Sequence, residues 1–345
     1  MHTIVDVGSN TVRMNVYDVK DSKLKILFSK KATVGLASYV KGRHMTAAGV
    51  DRLIEVLEDF KETLRNLNIH EMHVFATASL RNVSNTQEAI DEIYRRTGVN
   101  VQVLSGQEEA ELDFLGAALE SRIKKGLLMD IGGGSTELVA YKDGRMLSAV
   151  SIAKGSLNSY NKHVKGILPT RDERKAIKKD FLDKLDGIEA FAGKNQYKLI
   201  CGVGGTVRAA LKLDKLFFGQ QAQENVLEVS HIGYIINAMV QKENRDKFLK
   251  NMSLLLDVVP ERIRTILPGM IILYAAAKRF KCEAVVVAQT GVREGFMFNY
   301  VLKDVYGGRT EGHEENADNE QNIQDALSEQ TEQTEQAEEA SQQND

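Results

Sequence analysis

The sequence has no tryptophan, and its 345 residues include only two cysteines and three prolines. Aromatic residues make up 6% of the chain, and no apolar run reaches the roughly 18 residues that a membrane span needs. These shortages argue against a disulfide-rich secreted domain and against a membrane protein. The segment MHTIVDVGSN lacks the basic and apolar regions of a signal peptide. Cys201 and Cys282 lie in separate apolar segments, which indicates buried thiols in a reducing compartment. We therefore expect a cytoplasmic protein.

Charge is unevenly distributed along the chain. Residues 310–345 contain twelve acidic residues and no Lys or Arg, although the net charge of the whole sequence is only -3. The rest of the chain therefore has an excess of Lys and Arg, which suits an anionic substrate. The Gln- and Glu-rich segment 307–345 is predicted to be disordered, because it has too few apolar residues to form a core. No motif that reads nucleic-acid sequence is present.

An internal repeat gives the strongest indication of the fold. Ile4–Thr11 (IVDVGSNT) recurs as Leu128–Ser135 (LMDIGGGS), and each copy is followed by two further strand-like segments. A repeat of this size indicates two domains of related fold. We predict a first domain at residues 1–120, a second at 121–306, and a last helix at 293–305 that returns to the first domain.

Helical and strand-like segments alternate after each copy of the repeat. Such alternation, with antiparallel hairpins at the start, favours an α/β fold with mixed sheets and a cleft between the two domains. Helices are predicted at 47–67, 86–97, 108–121, 171–192 and 260–279, and further strands at 72–77, 101–104, 199–203 and 284–288.

Four segments have a strand followed by a glycine-rich turn: Asp6–Thr11, Asp130–Thr136, Cys201–Thr206 and Gln289–Gly295. Glycine lets the backbone approach a ligand closely, and successive N–H groups in such turns bind anions. Two facing turns that each begin with an aspartate predict a site for phosphate and Mg²⁺, which prefers carboxylate and phosphate oxygens.

Two glutamates at the start of the helix after residue 104 are predicted to differ in role. Ser105 and Glu108 have the spacing of a capping box, which gives Glu108 a structural function. Glu109 lies about 100° further around the helix. A carboxylate on a partly apolar face beside a cleft suits a general base, whereas an exposed first-turn glutamate would only stabilise the helix. Spacing alone favours the second interpretation.

These motifs together resemble the exopolyphosphatase/guanosine pentaphosphate phosphatase family (Ppx/GppA), within the actin-like ATPase (ribonuclease H-like) superfamily. The resemblance rests on the blocks DVGSNTVRM, ATASLRNVSN, VLSGQEEAELDFLGA, LLMDIGGGSTELV, CGVGGTVRAA, PERIRTILPGMIIL and GVREG. These blocks run in family order to about residue 300. The resemblance implies two actin-like domains around a central cleft, in the short form without a further C-terminal helical domain.

The resemblance also implies roles for individual residues. Glu109 matches the general base, and Asp130 matches an acidic residue that organises water and Mg²⁺. Asp6 and Glu137 are further candidate metal ligands, and Arg81 matches an arginine on the phosphate chain. The candidate phosphate-binding residues are Gly8, Ser9, Asn10, Gly132, Gly133, Gly134, Ser135, Thr136, Gly205, Thr206 and Arg293. Glu111 stands where family members commonly have Arg, which puts in doubt how tightly a long polyanion binds there.

The implied activity is Mg²⁺-dependent release of terminal phosphate from inorganic polyphosphate. Hydrolysis of guanosine pentaphosphate, binding of polyphosphate or nucleotide without turnover, and a kinase activity of the same superfamily remain as alternatives. A homodimer is compatible with the sequence, and no membrane or specific nucleic-acid partner is expected. His70 and His73 have no Cys or His at zinc spacing, so no zinc site is expected.

Overall fold

A computed structural model describes residues 1–20, 23–118, 125–192, 196–219, 225–239 and 245–303. The predicted domain boundary near residue 120 and the acidic segment 307–345 lie outside these described residues. In the part of the chain that is described, no helix combines the length and apolarity needed to cross a membrane.

Thirteen strands are present in the described residues. They are β1 His2–Val7, β2 Thr11–Lys20, β3 Lys23–Thr33, β4 Val40–Lys41, β5 His44–Met45, β6 His73–Ala76, β7 Val101–Val103, β8 Lys125–Ile131, β9 Thr136–Lys142, β10 Arg145–Ile152, β11 Leu199–Val203, β12 Val226–Glu228 and β13 Ala284–Val287.

The same residues form twelve α-helices and three short helical turns. The helices are α1 Ala47–Asn66, α2 Ala78–Arg81, α3 Thr86–Thr97, α4 Gly106–Ala118, α5 Ser156–His163, α6 Arg171–Asp186, α7 Glu189–Ala192, α8 Gly204–Phe218, α9 Val229–Ala238, α10 Arg245–Val258, α11 Ile266–Arg279 and α12 Val292–Phe296. Leu36–Tyr39 and Pro260–Arg262 are 3₁₀ turns, and Met297–Val301 is a π-helical turn that continues α12.

The two large sheets have the same strand order, as the repeat predicts. The first sheet runs β3-β2-β1-β6-β7, and the second runs β10-β9-β8-β11-β13 with β12 added at its edge. In each sheet the first three strands are antiparallel and the next two are parallel. Asp6 and Asp130 occupy equivalent places near the ends of β1 and β8. The predicted α/β fold with mixed sheets is therefore confirmed.

Most predicted elements are present, with two interruptions. The helix predicted at 171–192 ends at Asp186, and α7 begins only at Glu189. The helix predicted at 260–279 starts as the 3₁₀ turn at Pro260, and α11 begins at Ile266. Gly187 follows α6, and Pro268 is tolerated in the first turn of α11 but not further inside a helix, so both interruptions coincide with residues that disfavour a continuous helix.

Helices α4 and α12 connect the two sheets in a crossed arrangement. Helix α4 follows the last strand of the first sheet, yet its Ala110 and Ala117 pack in one apolar cluster with Leu128 and Cys201 of the second sheet. Conversely, α12 follows the second sheet, and its Phe296 joins a cluster that belongs to the first sheet. Each sheet is thus covered on one face by a helix from the other half of the sequence.

The two helices touch where both carry glycine. A Cβ atom on Gly116 would lie 2.0 Å from the carbonyl oxygen of Gly291, and one on Gly295 would lie 1.9 Å from that of Leu112. The contact is also polar, because the buried carboxylate of Asp113 accepts a hydrogen bond from the Val292 N–H at 2.8 Å. Glycine is required here because no side-chain carbon fits between the backbones.

We expect Gly116→Ala to destabilise the protein by about 3 kcal/mol, since overpacking against backbone cannot be relieved by a side-chain movement. For a chain of this size, such a loss lowers the thermal midpoint by roughly 4–5 °C. Differential scanning calorimetry measures both quantities. Gly187→Ala is the matched control, because its Cβ would meet only ordinary contacts at 3.5 Å. An unchanged midpoint for Gly116→Ala would refute the tight crossing.

Candidate active site

A cavity of ≈ 150 Å³ lies between the two sheets, at the ends of β1 and β8. It is lined by glycine-rich turns, three carboxylates and four arginines. The lining residues are Asp6, Gly8, Ser9, Asn10, Thr11, Arg13, Thr77, Ala78, Glu109, Asp130, Ile131, Gly132, Gly133, Gly134, Ser135, Val203, Gly204, Gly205, Arg208, Arg262, Thr290, Gly291, Val292 and Arg293.

The first two turns have the same hydrogen bond at their base. We call residues 8–11 loop 1 and residues 132–135 loop 2. The Gly8 N–H donates to the Thr11 carbonyl at 3.0 Å, and the Gly132 N–H donates to the Ser135 carbonyl, also at 3.0 Å. The loops meet across the cavity, because a Cβ on Gly134 would lie 2.8 Å from Oγ of Ser9. The repeated sequence therefore produces two equivalent and facing turns.

The carbonyl groups of both loops are bound by the surrounding protein. In loop 1 the Ser9 carbonyl accepts from the Ala37 N–H at 3.0 Å. In loop 2 the Gly133 carbonyl accepts from the Leu157 N–H at 2.9 Å, at the start of α5. The Gly134 carbonyl accepts from the Asn158 side chain at 2.6 Å. The carbonyls are thereby held by the protein and are not available to repel an anion.

The N–H groups at the tips of the loops are available for a ligand. Those of Ser9, Asn10, Gly133 and Gly134 have no acceptor among the residues that the structure describes. All four residues line the cavity. Backbone N–H groups grouped in this way bind the oxygens of anions such as phosphate.

Asp6 and Asp130 place two carboxylates at the base of the cavity. Burial raises the pKa of both, and that of Asp130 to about 6, although nearby arginines oppose the shift. Gly204 passes directly over Asp130: a Cβ there would lie 2.1 Å from Oδ1, and its φ of 85° favours glycine. Because burial penalises the charged carboxylates, a cation between them would stabilise the site.

Glu109 lies at the start of α4, directly after Glu108. The Glu108 N–H donates to Oγ of Ser105 at 3.1 Å, and Oε2 of Glu108 accepts from the Ser105 N–H at 2.7 Å. The predicted capping box is therefore confirmed. Glu109 instead lines the cavity with only 8% of its surface exposed. Burial raises its pKa well above the ordinary value, and the nearby charge of Glu137 adds to the effect.

Arg81 contacts carboxylates and hydroxyls beside the cavity. Its Nη1 donates to Oε2 of Glu109 at 2.6 Å, and its Nη2 lies 3.8 Å from Oε1 of Glu137. Ser151 donates to the same Glu137 oxygen at 2.7 Å. Burial and the charge of Asp130 raise the pKa of Glu137 to about 7. Arg81 thus joins the candidate base to a second buried carboxylate.

Four predicted site residues, Arg81, Thr136, Glu137 and Thr206, do not line the cavity. Arg81, predicted to contact the phosphate chain, is instead paired with Glu109 beside it. Glu137 lies behind loop 2 and is almost fully buried. The hydroxyl of Thr136 donates to the Lys154 carbonyl at 2.6 Å, and that of Thr206 donates to the Ile131 carbonyl at 2.8 Å. Both threonines hold backbone next to the Asp130 turn.

Four arginines converge on the cavity from different elements: Arg13 on β2, Arg208 on α8, Arg262 in the 3₁₀ turn and Arg293 on α12. Nη1 of Arg293 lies 3.4 Å from Oδ2 of Asp6. The guanidinium of Arg262 lies against Gly205, where a Cβ would be 2.1 Å from Nη2. The guanidinium groups reach the cavity directly at both of these places.

The positive charges of these arginines repel one another. Burial holds the pKa of Arg13 and Arg208 below the usual value, and the charge of Arg293 lowers both further. Burial also lowers the pKa of Arg262, and the charge of Arg13 adds to this. Buried cations that repel each other are stabilised by an anion placed between them.

Sequence reasoning identified Arg293 but missed Arg13, Arg208 and Arg262. Each lies inside a quoted motif block, as a cation among mostly apolar or small residues. Arg13 is opposite Asp6 in the β1–β2 register. For Arg13, the available signal was an arginine in a mostly apolar strand directly after a glycine turn.

Similarity to known proteins agrees with this geometry. A family model described as the Ppx/GppA phosphatase family matches residues 15–304. "Exopolyphosphatase 1" of Mycobacterium tuberculosis and of Mycobacterium bovis are each 31% identical to the chain over 184 residues, covering 52% of this chain and 53% of the relative. The alignment therefore spans about half the length of these curated relatives.

Solved structures share the fold. The Aquifex aeolicus Ppx/GppA family member aligns with a TM-score of 0.69 and 24% identity, over 88% of this chain and 97% of that one. An exopolyphosphatase from Cytophaga hutchinsonii aligns with a TM-score of 0.74 and 20% identity, over 86% and 96% of the two chains. Because the family model covers most of the sequence, the chain belongs to the Ppx/GppA phosphatase family.

Proposed function

We propose that the protein is an exopolyphosphatase, which hydrolyses the terminal phosphoanhydride bond of inorganic polyphosphate with the help of Mg²⁺. The observation that carries this proposal is the convergence of four partly buried arginines and two sets of loop N–H groups on one cavity. A polyphosphate chain carries negative charge on each of its phosphates. Several cations in one buried site match such a ligand better than a substrate with a single charge.

The carboxylates that line the cavity fit a magnesium ion. Mg²⁺ is usually held by one or two carboxylates together with water and substrate phosphates. Asp6 and Asp130 supply such carboxylates next to the loop N–H groups. Glu137 lies behind loop 2 and would not bind the ion directly. It would act through Arg81 and Ser151, which it contacts. When bound, the ion would neutralise charge on the phosphate oxygens.

The residues of the chain can then carry out hydrolysis. The loop N–H groups and the arginines hold the terminal phosphate in place. Glu109 accepts a proton from a water molecule whose oxygen attacks the terminal phosphorus. The bond from phosphorus to the bridging oxygen breaks, and the bridging oxygen leaves with the shortened chain as orthophosphate is released. Positioning and charge neutralisation provide most of the rate enhancement in such reactions.

The lining of the cavity favours an inorganic substrate over guanosine pentaphosphate. None of the described residues that line it is aromatic. Protein sites that hold a nucleobase commonly stack it on an aromatic ring, and each such contact contributes roughly 1–3 kcal/mol. The cavity thus provides many partners for phosphate and no stacking surface for a base.

A side-by-side assay tests the choice of substrate. We expect Mg²⁺-dependent release of orthophosphate from polyphosphate, with kcat/KM at least tenfold above that for guanosine pentaphosphate. Phosphate is measured colorimetrically at equal concentrations of terminal phosphate. Faster turnover of guanosine pentaphosphate would reverse the assignment. Binding of polyphosphate without any phosphate release would indicate a sensor, and ADP formed from ATP with an acceptor would indicate a kinase.

A further inference from the structure

Three side chains that commonly bind metals meet at the far end of β1 from the cavity. His2 begins β1, His73 begins β6, and Glu71 lies two residues before His73. Nδ1 of His2 lies 3.0 Å from Oε2 of Glu71, and Nε2 of His73 lies 2.6 Å from Oε1. One nitrogen or oxygen atom from each residue lies within 4.8 Å of the others. The proposed hydrolysis does not involve any of these three side chains.

The backbone that carries the two histidines is held by the sheet. Strands β1 and β6 are parallel neighbours, with Ile4 opposite His73. Side chains two residues apart on a strand point to the same face, so His2 and His73 share a face. Ligands on rigid strands bind a metal with less reorganisation than ligands on loops.

The orientation of these side chains suits coordination. Both carboxylate oxygens of Glu71 face a histidine nitrogen, Oε2 towards Nδ1 of His2 and Oε1 towards Nε2 of His73. Nδ1 of His2 is buried and makes no aligned hydrogen bond to any described residue, despite its short distance to Glu71. Its lone pair can therefore serve as a ligand.

We propose that His2, Glu71 and His73 form a second metal site, which binds a divalent transition ion such as Zn²⁺ or Co²⁺. Two imidazoles and one carboxylate are a known zinc ligand set, with the fourth tetrahedral position left for water. Imidazole nitrogen selects such ions over Mg²⁺, which prefers oxygen ligands. In a tetrahedral site with bonds of about 2.0 Å the ligand atoms lie about 3.3 Å apart. The two N···O distances of 2.6 and 3.0 Å would therefore lengthen slightly around a bound ion.

This site is separate from the proposed catalytic centre. His2 and Asp6 are four residues apart on one strand, which corresponds to roughly 13 Å at about 3.3 Å per residue. An ion at His2 therefore cannot touch a phosphate at Asp6. It would instead cross-link β1 to β6, and the opposite ends of these strands lead to Asp6 and Thr77 in the cavity. The expected effect of the ion is to stabilise the contact between these two strands.

The test is a titration of the untagged full chain with Co²⁺, in the presence of excess Mg²⁺. Tetrahedral Co²⁺ with nitrogen ligands is followed by its visible absorption, and Zn²⁺ is added as competitor. We expect one Co²⁺ per chain, displaced by Zn²⁺. His73→Ala and Glu71→Gln should each weaken binding at least ~10-fold, since even the loss of a residue that only supports a ligand costs that much.

His70→Ala is the matched control, because His70 is exposed and adjacent to Glu71 but outside the cluster. It should bind Co²⁺ like the wild type. Zn²⁺ should raise the thermal midpoint of the wild type and of His70→Ala, but not of His73→Ala. Equal loss of binding in His70→Ala and His73→Ala would overturn the proposal.

A second pair of variants distinguishes Co²⁺ binding at this site from Co²⁺ binding in the cavity. Asp130→Asn should keep the Co²⁺ spectrum, and His73→Ala should keep Mg²⁺-dependent phosphate release within about twofold. If Asp130→Asn loses the spectrum while His73→Ala retains it, the ion binds at the cavity and the proposal is wrong. The absence of tetrahedral Co²⁺ binding would also overturn it. Neither result depends on whether polyphosphate is the substrate.

Discussion

Replacing Glu109 by glutamine should abolish most phosphate release from polyphosphate while leaving polyphosphate binding nearly intact. Removal of a general base typically costs about 10²–10⁴-fold in rate. Glutamine keeps the shape of the side chain but cannot accept the proton of the attacking water. We therefore expect kcat to fall by this factor, with KM changed by less than about threefold, in a steady-state phosphate assay.

Glu108→Gln provides the control for this experiment, because the two residues are adjacent on α4. Glu108 is bonded to the Ser105 N–H and belongs to the capping box. Its replacement should reduce stability by at most about 1 kcal/mol and leave kcat within about twofold. Near-normal turnover of Glu109→Gln, or an equal loss in both variants, would show that Glu109 is not the base.

The pH dependence provides an independent check on Glu109. Burial raises its pKa well above that of an ordinary glutamate, and the charge of Arg81 only partly opposes this. A base must be ionised to act, so the wild-type rate should fall as the pH drops through this raised pKa. The residual rate of Glu109→Gln should lack that acidic limb.

Replacing Arg262 by glutamine should lower kcat/KM for polyphosphate by about 10- to 100-fold. A hydrogen bond to a charged group is worth about 1.5–3 kcal/mol, and each 1.4 kcal/mol corresponds to a factor of ten. The effect should lie mainly in KM. Phosphate release measured over a range of ionic strengths should also show a weaker salt dependence, because one phosphate contact has been removed.

The melting temperature distinguishes a role of Arg262 in binding from a role in folding. Burial and the charge of Arg13 lower the pKa of Arg262, so its charge carries a cost in the folded protein. Arg262→Gln should therefore melt at or above the wild-type temperature. Arg264→Gln is the matched control, since Arg264 is two residues away and exposed. Equal losses of kcat/KM in both variants would contradict a specific contact between Arg262 and the phosphate chain.

The sequence predicted the features that are encoded locally. The Asp-led turns at Asp6 and Asp130 could be found because each is a short contiguous pattern, and the duplication placed them at equivalent strand ends. The capping box of Ser105 and Glu108 is equally local. These patterns determine backbone geometry within a few residues, so reasoning from spacing could reach them.

The features that the sequence did not reveal depend on tertiary structure. Arg13, Arg208 and Arg262 lie on three separate elements, and only the folded sheets bring them to one cavity. His2 meets Glu71 and His73 only because β1 and β6 are neighbours, so a search for zinc spacing could not find this cluster. The breaks after Asp186 and before Ile266 show that helical periodicity locates a helix better than it locates its ends.

The crossing of α4 and α12 has a consequence for how the chain acquires its structure during synthesis. The first sheet can pair its strands once residue 103 has been made, but the apolar face covered by Phe296 stays open until the ribosome has passed α12. Protein synthesis proceeds at about 5–20 residues per second, so this face is exposed for roughly 10–40 seconds. During that interval the nascent chain presents an unprotected apolar surface, at which a chaperone could act.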